Sequence, residues 1–231
     1  MKKLAIAITA VAAFTGSAVA ADMQVKARPY APPVVTAYNW TGCYVGAGGG
    51  YGMYNQDISA DTSERFGSGT LGGRGWFGTG QVGCDYQVMP SIVIGAFGDW
   101  NFGSIKGGSD FSTVDEKMSW SWAAGGRIGW VALPNLLAYV SGGYTEAHVD
   151  QIDIDTATNI PATTYKGWFL GSGYEYGLGF MPGLFWKTEY RFADYQAQTV
   201  SLCDPVCGPF FDSHKYVQTI RSELVYRFNW H

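Results

Sequence analysis

The chain has 231 residues, of which 47% are hydrophobic, 16% aromatic and only 15% charged, with 32 glycines and a formal charge of −4. This mixture excludes a disordered chain, which needs low hydrophobicity and high charge, and the length suits one domain. The acidic balance argues against a nucleic-acid partner.

The chain opens as an export signal. Lys2 and Lys3 are charged, residues 4–14 are apolar, and Ala18-Val19-Ala20 gives a small-residue cleavage pattern. Residues 1–20 are therefore predicted as a signal peptide, with the mature chain starting at Ala21. Losing Lys2 and Lys3 takes the formal charge from −4 to −6. Residues 21–39 contain Pro29, Pro32 and Pro33 and read as an extended periplasmic lead-in, because proline removes ladder donors. Residues 40–231 are expected to form one domain. No later stretch is apolar over the length a membrane helix needs, so the exported chain is either soluble or inserted as strands.

Side chains alternate faces along a strand, and eight segments show that alternation. The first spans about residues 40–54, with Cys43, Val45, Ala47, Gly49, Tyr51 and Met53 in one row. The second spans about residues 73–87, with Trp76, Val82, Cys84 and Tyr86 opposite Gln81 and Asp85. The third covers 92–102, where Ile94, Trp100 and Phe102 oppose Phe97 and Asp99. In the fourth, 117–131, Met118, Trp120, Trp122, Ala124, Gly126, Ile128 and Trp130 share a face and Arg127 takes the other. The fifth, 136–147, sets Val140 and Tyr144 against Ser141 and Thr145. The sixth runs from Trp168 through Leu170, Ser172, Tyr174, Tyr176 and Leu178 to Phe180, with Glu175 opposite. The turn Met181-Pro182-Gly183 leads to the seventh, where Trp186, Tyr190 and Phe192 oppose Lys187, Glu189 and Arg191. The eighth, 216–228, places Ile220, Leu224, Tyr226 and Phe228 opposite Arg221, Glu223 and Arg227. Long polar loops are expected at 55–72, 103–116, 148–164 and 193–215.

Eight alternating segments, with short turns and long loops in alternation, predict an all-β fold: an eight-stranded antiparallel transmembrane up-and-down β-barrel with short periplasmic turns. A soluble barrel would share the strand count but bury its apolar row. The aromatic row is too bulky for the narrow bore of eight strands, so it is expected to face lipid. The charged row then lines the bore, since an arginine facing lipid at midplane costs about 2–4 kcal/mol. Arg127, Glu175, Lys187, Glu189, Arg191, Arg221 and Glu223 are expected to form a paired internal network.

The segments Trp40-Thr41-Gly42-Cys43-Tyr44-Val45-Gly46, Arg127-Ile128-Gly129-Trp130, Gly142-Gly143, Glu175-Tyr176, Lys187-Thr188-Glu189-Tyr190 and Tyr226-Arg227-Phe228 together resemble the small immunogenic, porin-like outer-membrane barrels of alpha-proteobacteria, related to the OmpA membrane domain. The resemblance covers essentially the whole mature chain. It implies localisation to the cell outer membrane of a Gram-negative bacterium, contact with outer-membrane lipid and lipopolysaccharide, and delivery by the barrel-insertion machinery. It also implies a surface antigen with a structural, envelope-stabilising role. Some relatives are described as porins or hemin binders.

The departures from that pattern carry their own expectations. Cys43 and Cys84 stand where relatives have aromatics. If strands one and two pair symmetrically about their loop, partners sum to 127, as 43 and 84 do, so the two are disulfide candidates near the periplasmic rim; two free thiols are the alternative. Phe97 and Gly125 replace usual interior charges, which would loosen the network. Asn229-Trp230-His231 extend the usual aromatic end.

Cys203 and Cys207 lie four apart in Cys-Asp-Pro-Val-Cys, so a local disulfide staple is expected in an oxidising compartment; metal binding with His214 is the rival. Gly73-Arg74-Gly75-Trp76-Phe77-Gly78 fits a dinucleotide fingerprint in letters but lacks the strand-to-helix context. No enzyme activity, cofactor or metal is expected. His148 and His214, joined by Ser213 or Asp212, are candidates for a lipid-modifying hydrolase or a hemin-binding loop site, against the simpler reading of solvated loop residues. Asp150, Asp153 and Asp155 make the third loop acidic without EF-hand spacing. Three function classes remain: structural envelope antigen, narrow diffusion channel, and loop-based surface receptor.

Overall fold

Alternation of grease and charge settles into strands because each residue then satisfies its backbone groups on a neighbour while sending side chains to two different solvents. The computed structural model describes residues 38–60, 69–109, 112–155, 158–201 and 210–229. The strands are β1 (Gly42–Ala60), β2 (Gly69–Met89), β3 (Ile92–Ser109), β4 (Ser112–Leu133), β5 (Leu136–Val149), β6 (Ile152–Asp155), β7 (Thr158–Ile160), β8 (Thr163–Gly177), β9 (Leu184–Ser201) and β10 (Phe210–Asn229). Eight of them close a barrel in the order β1-β10-β9-β8-β5-β4-β3-β2, all antiparallel, and β6–β7 form a separate hairpin between β5 and β8. The predicted signal peptide, most of the lead-in, Cys203, Cys207, Trp230 and His231 lie outside the described residues.

Sidedness follows the greasy row. Trp168 and Trp186 are exposed on the outer wall and Trp122 is half-exposed, whereas Arg127 and Glu189 are buried in the bore. Toward the short-turn end the wall carries Tyr86, Trp130, Tyr176 and Phe228; toward the other it carries Trp76, Trp100, Phe102 and Trp168. Two aromatic girdles flanking a band that includes Val82, Val140 and Leu170 match a lipid-spanning surface.

Four local expectations are corrected. The strands run on into the predicted long loops, so that β1 reaches Ala60, β3 reaches Ser109 and β10 begins at Phe210. Ladder pairing needs only backbone groups, and above the lipid a polar outward row is already in its preferred solvent. Met118 turns inward and is buried, because a bulge between Met118 and Trp120 flips the parity of β4. Trp40 precedes the strand rather than opening it. Leu178 and Phe180 fall in the β8–β9 turn: β8 ends at Gly177, Met181 N donates to Leu178 O at 3.2 Å, and Gly183 takes a left-handed φ of 81° that favours glycine.

β1 and β2 pair with Cys43 opposite Cys84, and their sulfurs form a disulfide on the outer wall at the second residue of β1. The same strand shows how a narrow bore is filled. β1 sends Gly46, Gly48, Gly50 and Gly52 inward, and large neighbours occupy the space they leave: a Cβ on Gly52 would lie 2.7 Å from Ile105 Cδ1.

Candidate functional site

The bore holds two charge clusters. The lower one is a ring of four, contributed by alternate strands β2, β4, β8 and β10. Arg127 donates to Asp85 from Nε at 2.9 Å and from Nη2 at 2.5 Å, and to Glu175 Oε1 from Nη1 at 2.5 Å. Arg227 closes the ring, donating from Nη1 to Asp85 Oδ2 at 2.7 Å and from Nη2 to Glu175 Oε2 at 2.5 Å. The guanidinium carbons of Arg127 and Arg227 lie 4.6 and 4.8 Å from the Tyr44 ring centroid. Two cations and two carboxylates thus alternate around one aromatic face, where a dry environment strengthens every bond and penalises any missing partner.

The upper cluster pairs three cations with three carboxylates. Lys187 Nζ donates to Gln81 Oε1 at 2.5 Å and sits 3.3 Å from Glu189 and 3.4 Å from Glu223. Arg191 reaches Glu189 at 2.8 Å and Asp99 at 2.9 Å, and Arg221 reaches Asp99 at 3.1 Å. Tyr139 OH donates to Glu189 Oε2 at 2.8 Å, and its ring stands between Arg127 and Lys187, linking the clusters. No ionic side chain of either cluster is more than 5% exposed. All seven expected network residues meet here. Asp85, Asp99 and Arg227 complete the charge balance; their inward parity was legible, but parity does not say which side chains meet across the bore. Phe97 does not leave a hole: its ring packs on Phe169 at 6.0 Å, with Lys187 and Arg191 at 5.8 and 5.6 Å.

Both ends of the plug are covered. Below, Trp40 is fully buried, holds Gln87 Oε1 through its backbone N–H at 3.1 Å, and packs on Phe185 at 4.9 Å with Tyr38 beside both. Tyr38, from the lead-in expected as plain linker, and Trp40, expected as the first strand residue, therefore cover the short-turn mouth together. Above, Lys215 lies between the Tyr54 and Tyr165 rings. Beside Arg191 and Arg221 of the upper cluster is a cavity of about 40 Å³, bordered also by Thr145, Tyr195 and Thr219.

The two histidines are not brought together. His148, on β5, stacks on Trp120, which stacks on Trp100, and its Nδ1 meets Thr164 Oγ1 at 3.0 Å. His214, on β10, engages Asp194 Oδ1 through Nε2 at 2.8 Å and the Tyr216 hydroxyl through Nδ1 at 2.9 Å. The side chains of Asp212, Ser213, Asp153 and Asp155 lie outside the described residues, and Asp150 pairs with Lys117 at 3.5 Å.

No family model matches the chain. Its sequence is 29% identical over 247 residues to the 31 kDa outer-membrane immunogenic protein of Brucella melitensis, covering 99% of this chain and 100% of that one. It is 26% identical over 230 residues to the 25 kDa outer-membrane immunogenic protein of Brucella abortus, covering 99% of each. The 22 kDa outer membrane protein of Rhizobium leguminosarum bv. viciae is 29% identical over 173 residues, covering 74% of this chain and 71% of that one.

Proposed function

Because the chain is an outer-membrane β-barrel related along its whole length to the alpha-proteobacterial outer-membrane immunogenic proteins, we propose that it is a closed structural element of the envelope. Its work is to span the outer membrane, seal its own bore and hold polar loops at the cell surface, where they serve as antigen. One observation carries the reading: ten buried charges, five of each sign, pair across the bore, and Trp40 caps them. A solute would have to break bonds worth several kcal/mol per buried ion to pass. In this reading the histidines belong to the wall: His214 is bonded through both ring nitrogens, and His148 through Nδ1 and its stack on Trp120. Tyr226-Arg227-Phe228 on the closing strand is the segment the insertion machinery would read. The test is planar-bilayer conductance of the refolded full chain. Silent membranes that hold folded barrel support the proposal; a steady conductance that grows with each insertion overturns it in favour of a diffusion channel.

A further inference from the structure

Among the described residues, six lysines and arginines point into the bore (Arg127, Lys187, Arg191, Lys215, Arg221, Arg227) and four point out (Arg74, Lys106, Lys117, Lys166). Three of those four are consecutive cross-strand partners. Arg74 on β2 pairs with Lys106 on β3, and Lys106 pairs with Lys117 on β4. All three are exposed. Like charges directly opposite one another destabilise a sheet, so the arrangement works against the fold unless an anion sits on it. It is set in a chain that is acidic as a whole. Arg74 and Lys106 form no ion pair among the described residues, and Lys117 shares only a half-exposed contact of 3.5 Å with Asp150.

Position narrows the ligand. The ladder lies one outward step beyond the outer aromatic girdle, past Trp76 on β2 and Trp120 on β4. Aromatic belts mark the membrane–water interface, so the three cations stand at the depth of the outer-leaflet phosphates. An open cleft of about 390 Å³, lined in part by Met53, Asn55, Arg74 and Lys106, adjoins them. We infer that the Arg74–Lys106–Lys117 ladder is a binding site for the phosphorylated headgroup of an outer-leaflet glycolipid of the lipopolysaccharide type, with the headgroup in the cleft and its acyl chains on the girdle below. This rests on the outer-membrane reading and adds a defined lipid site to it.

The full chain is refolded into phosphatidylcholine vesicles that are plain, doped with the phosphorylated glycolipid, or doped with the same glycolipid stripped of phosphate. Thermal unfolding and the glycolipid retained after detergent extraction are then measured for wild type, the triple variant Arg74→Gln/Lys106→Gln/Lys117→Gln, and Lys166→Gln. Wild type and Lys166→Gln should gain thermal stability and retain lipid only with phosphate present. The triple variant should bind on the order of a hundredfold more weakly, as loss of three surface cations implies, while being at least as stable as wild type in plain vesicles. Equal retention by the triple variant, or equal binding of the stripped lipid, overturns the site. A full stability gain from inorganic phosphate alone makes it a free-anion site and overturns the headgroup assignment. A chain that fails to insert into any vesicle would count against the barrel reading instead.

Discussion

Arg127 bridges both carboxylates of the lower ring, and its replacement by methionine gives the sharpest test of the plug. Arg127→Met keeps an unbranched, flexible stem that is shorter than arginine, and it removes three hydrogen bonds to Asp85 and Glu175. It leaves those two carboxylates facing Arg227 alone, so the ring carries one uncompensated negative charge in a dry site. Breaking a buried pair by removing one partner costs about 3–5 kcal/mol. Asp85→Asn alone leaves the opposite imbalance and should cost about the same. The double variant reduces the ring to Arg227 and Glu175, one of each sign, still bonded at 2.5 Å. Independent sites would give a sum of about 6–10 kcal/mol; the ring predicts a double variant no worse than either single one, a coupling of at least about 3 kcal/mol. Equilibrium urea unfolding of vesicle-inserted barrel, followed by tryptophan fluorescence, measures all four corners. Additivity within about 0.5 kcal/mol, or a single-variant cost below about 1 kcal/mol, would refute the reasoning.

Other consequences are as direct. Cys43→Ser/Cys84→Ser should lower stability by about 2–4 kcal/mol without preventing insertion, since the bridge closes a long loop across a separation of 41 residues; an unfolding curve of wild type that reductant leaves unmoved contradicts this. Gly52→Ala should cost about 1–3 kcal/mol by crowding Ile105 Cδ1, and Ile105→Val in the same chain should recover part of that loss because it removes the offending carbon; chemical unfolding that shows no recovery puts the strain elsewhere. Val140→Arg on the lipid face should cost up to about 2–4 kcal/mol, depending on its depth, against little for a change at an exposed outer-loop position. Comparable losses at the two sites would mean that Val140 does not face hydrocarbon.

The barrel and its sidedness were legible because lipid imposes one repeating rule over every spanning segment, while the register of β1 on β2 came from symmetric pairing about their loop. A residue such as Trp130 or Glu175 has only one tolerable face, so parity alone places it. Legibility stopped where that rule stopped. Beyond the girdles polar residues suit either strand or loop, and the upper halves of β3 and β10 read as loop although their backbones stay paired. Met118 was misplaced because a bulge has no signature in a two-residue period. Trp40 looked like the first strand residue because its hydrophobicity fits either a lipid-facing wall or the floor of a bore. The pairing inside the bore was also beyond parity: Asp85 and Arg227 are 142 positions apart, and only barrel curvature brings them within hydrogen-bonding distance.

The seam between β1 and β10 runs from Gly42 opposite Asn229 to Ala60 opposite Phe211. It joins the first barrel strand to the last, so the cylinder cannot close before β10 pairs with β1. Arg227 arrives with that last strand. Until it docks, Asp85 and Glu175 share a single counter-ion and need water; once it docks, the water can leave. Closure and drying of the interior are therefore one event, and a chain cut short before Arg227 would be left both unsealed and wet at its centre.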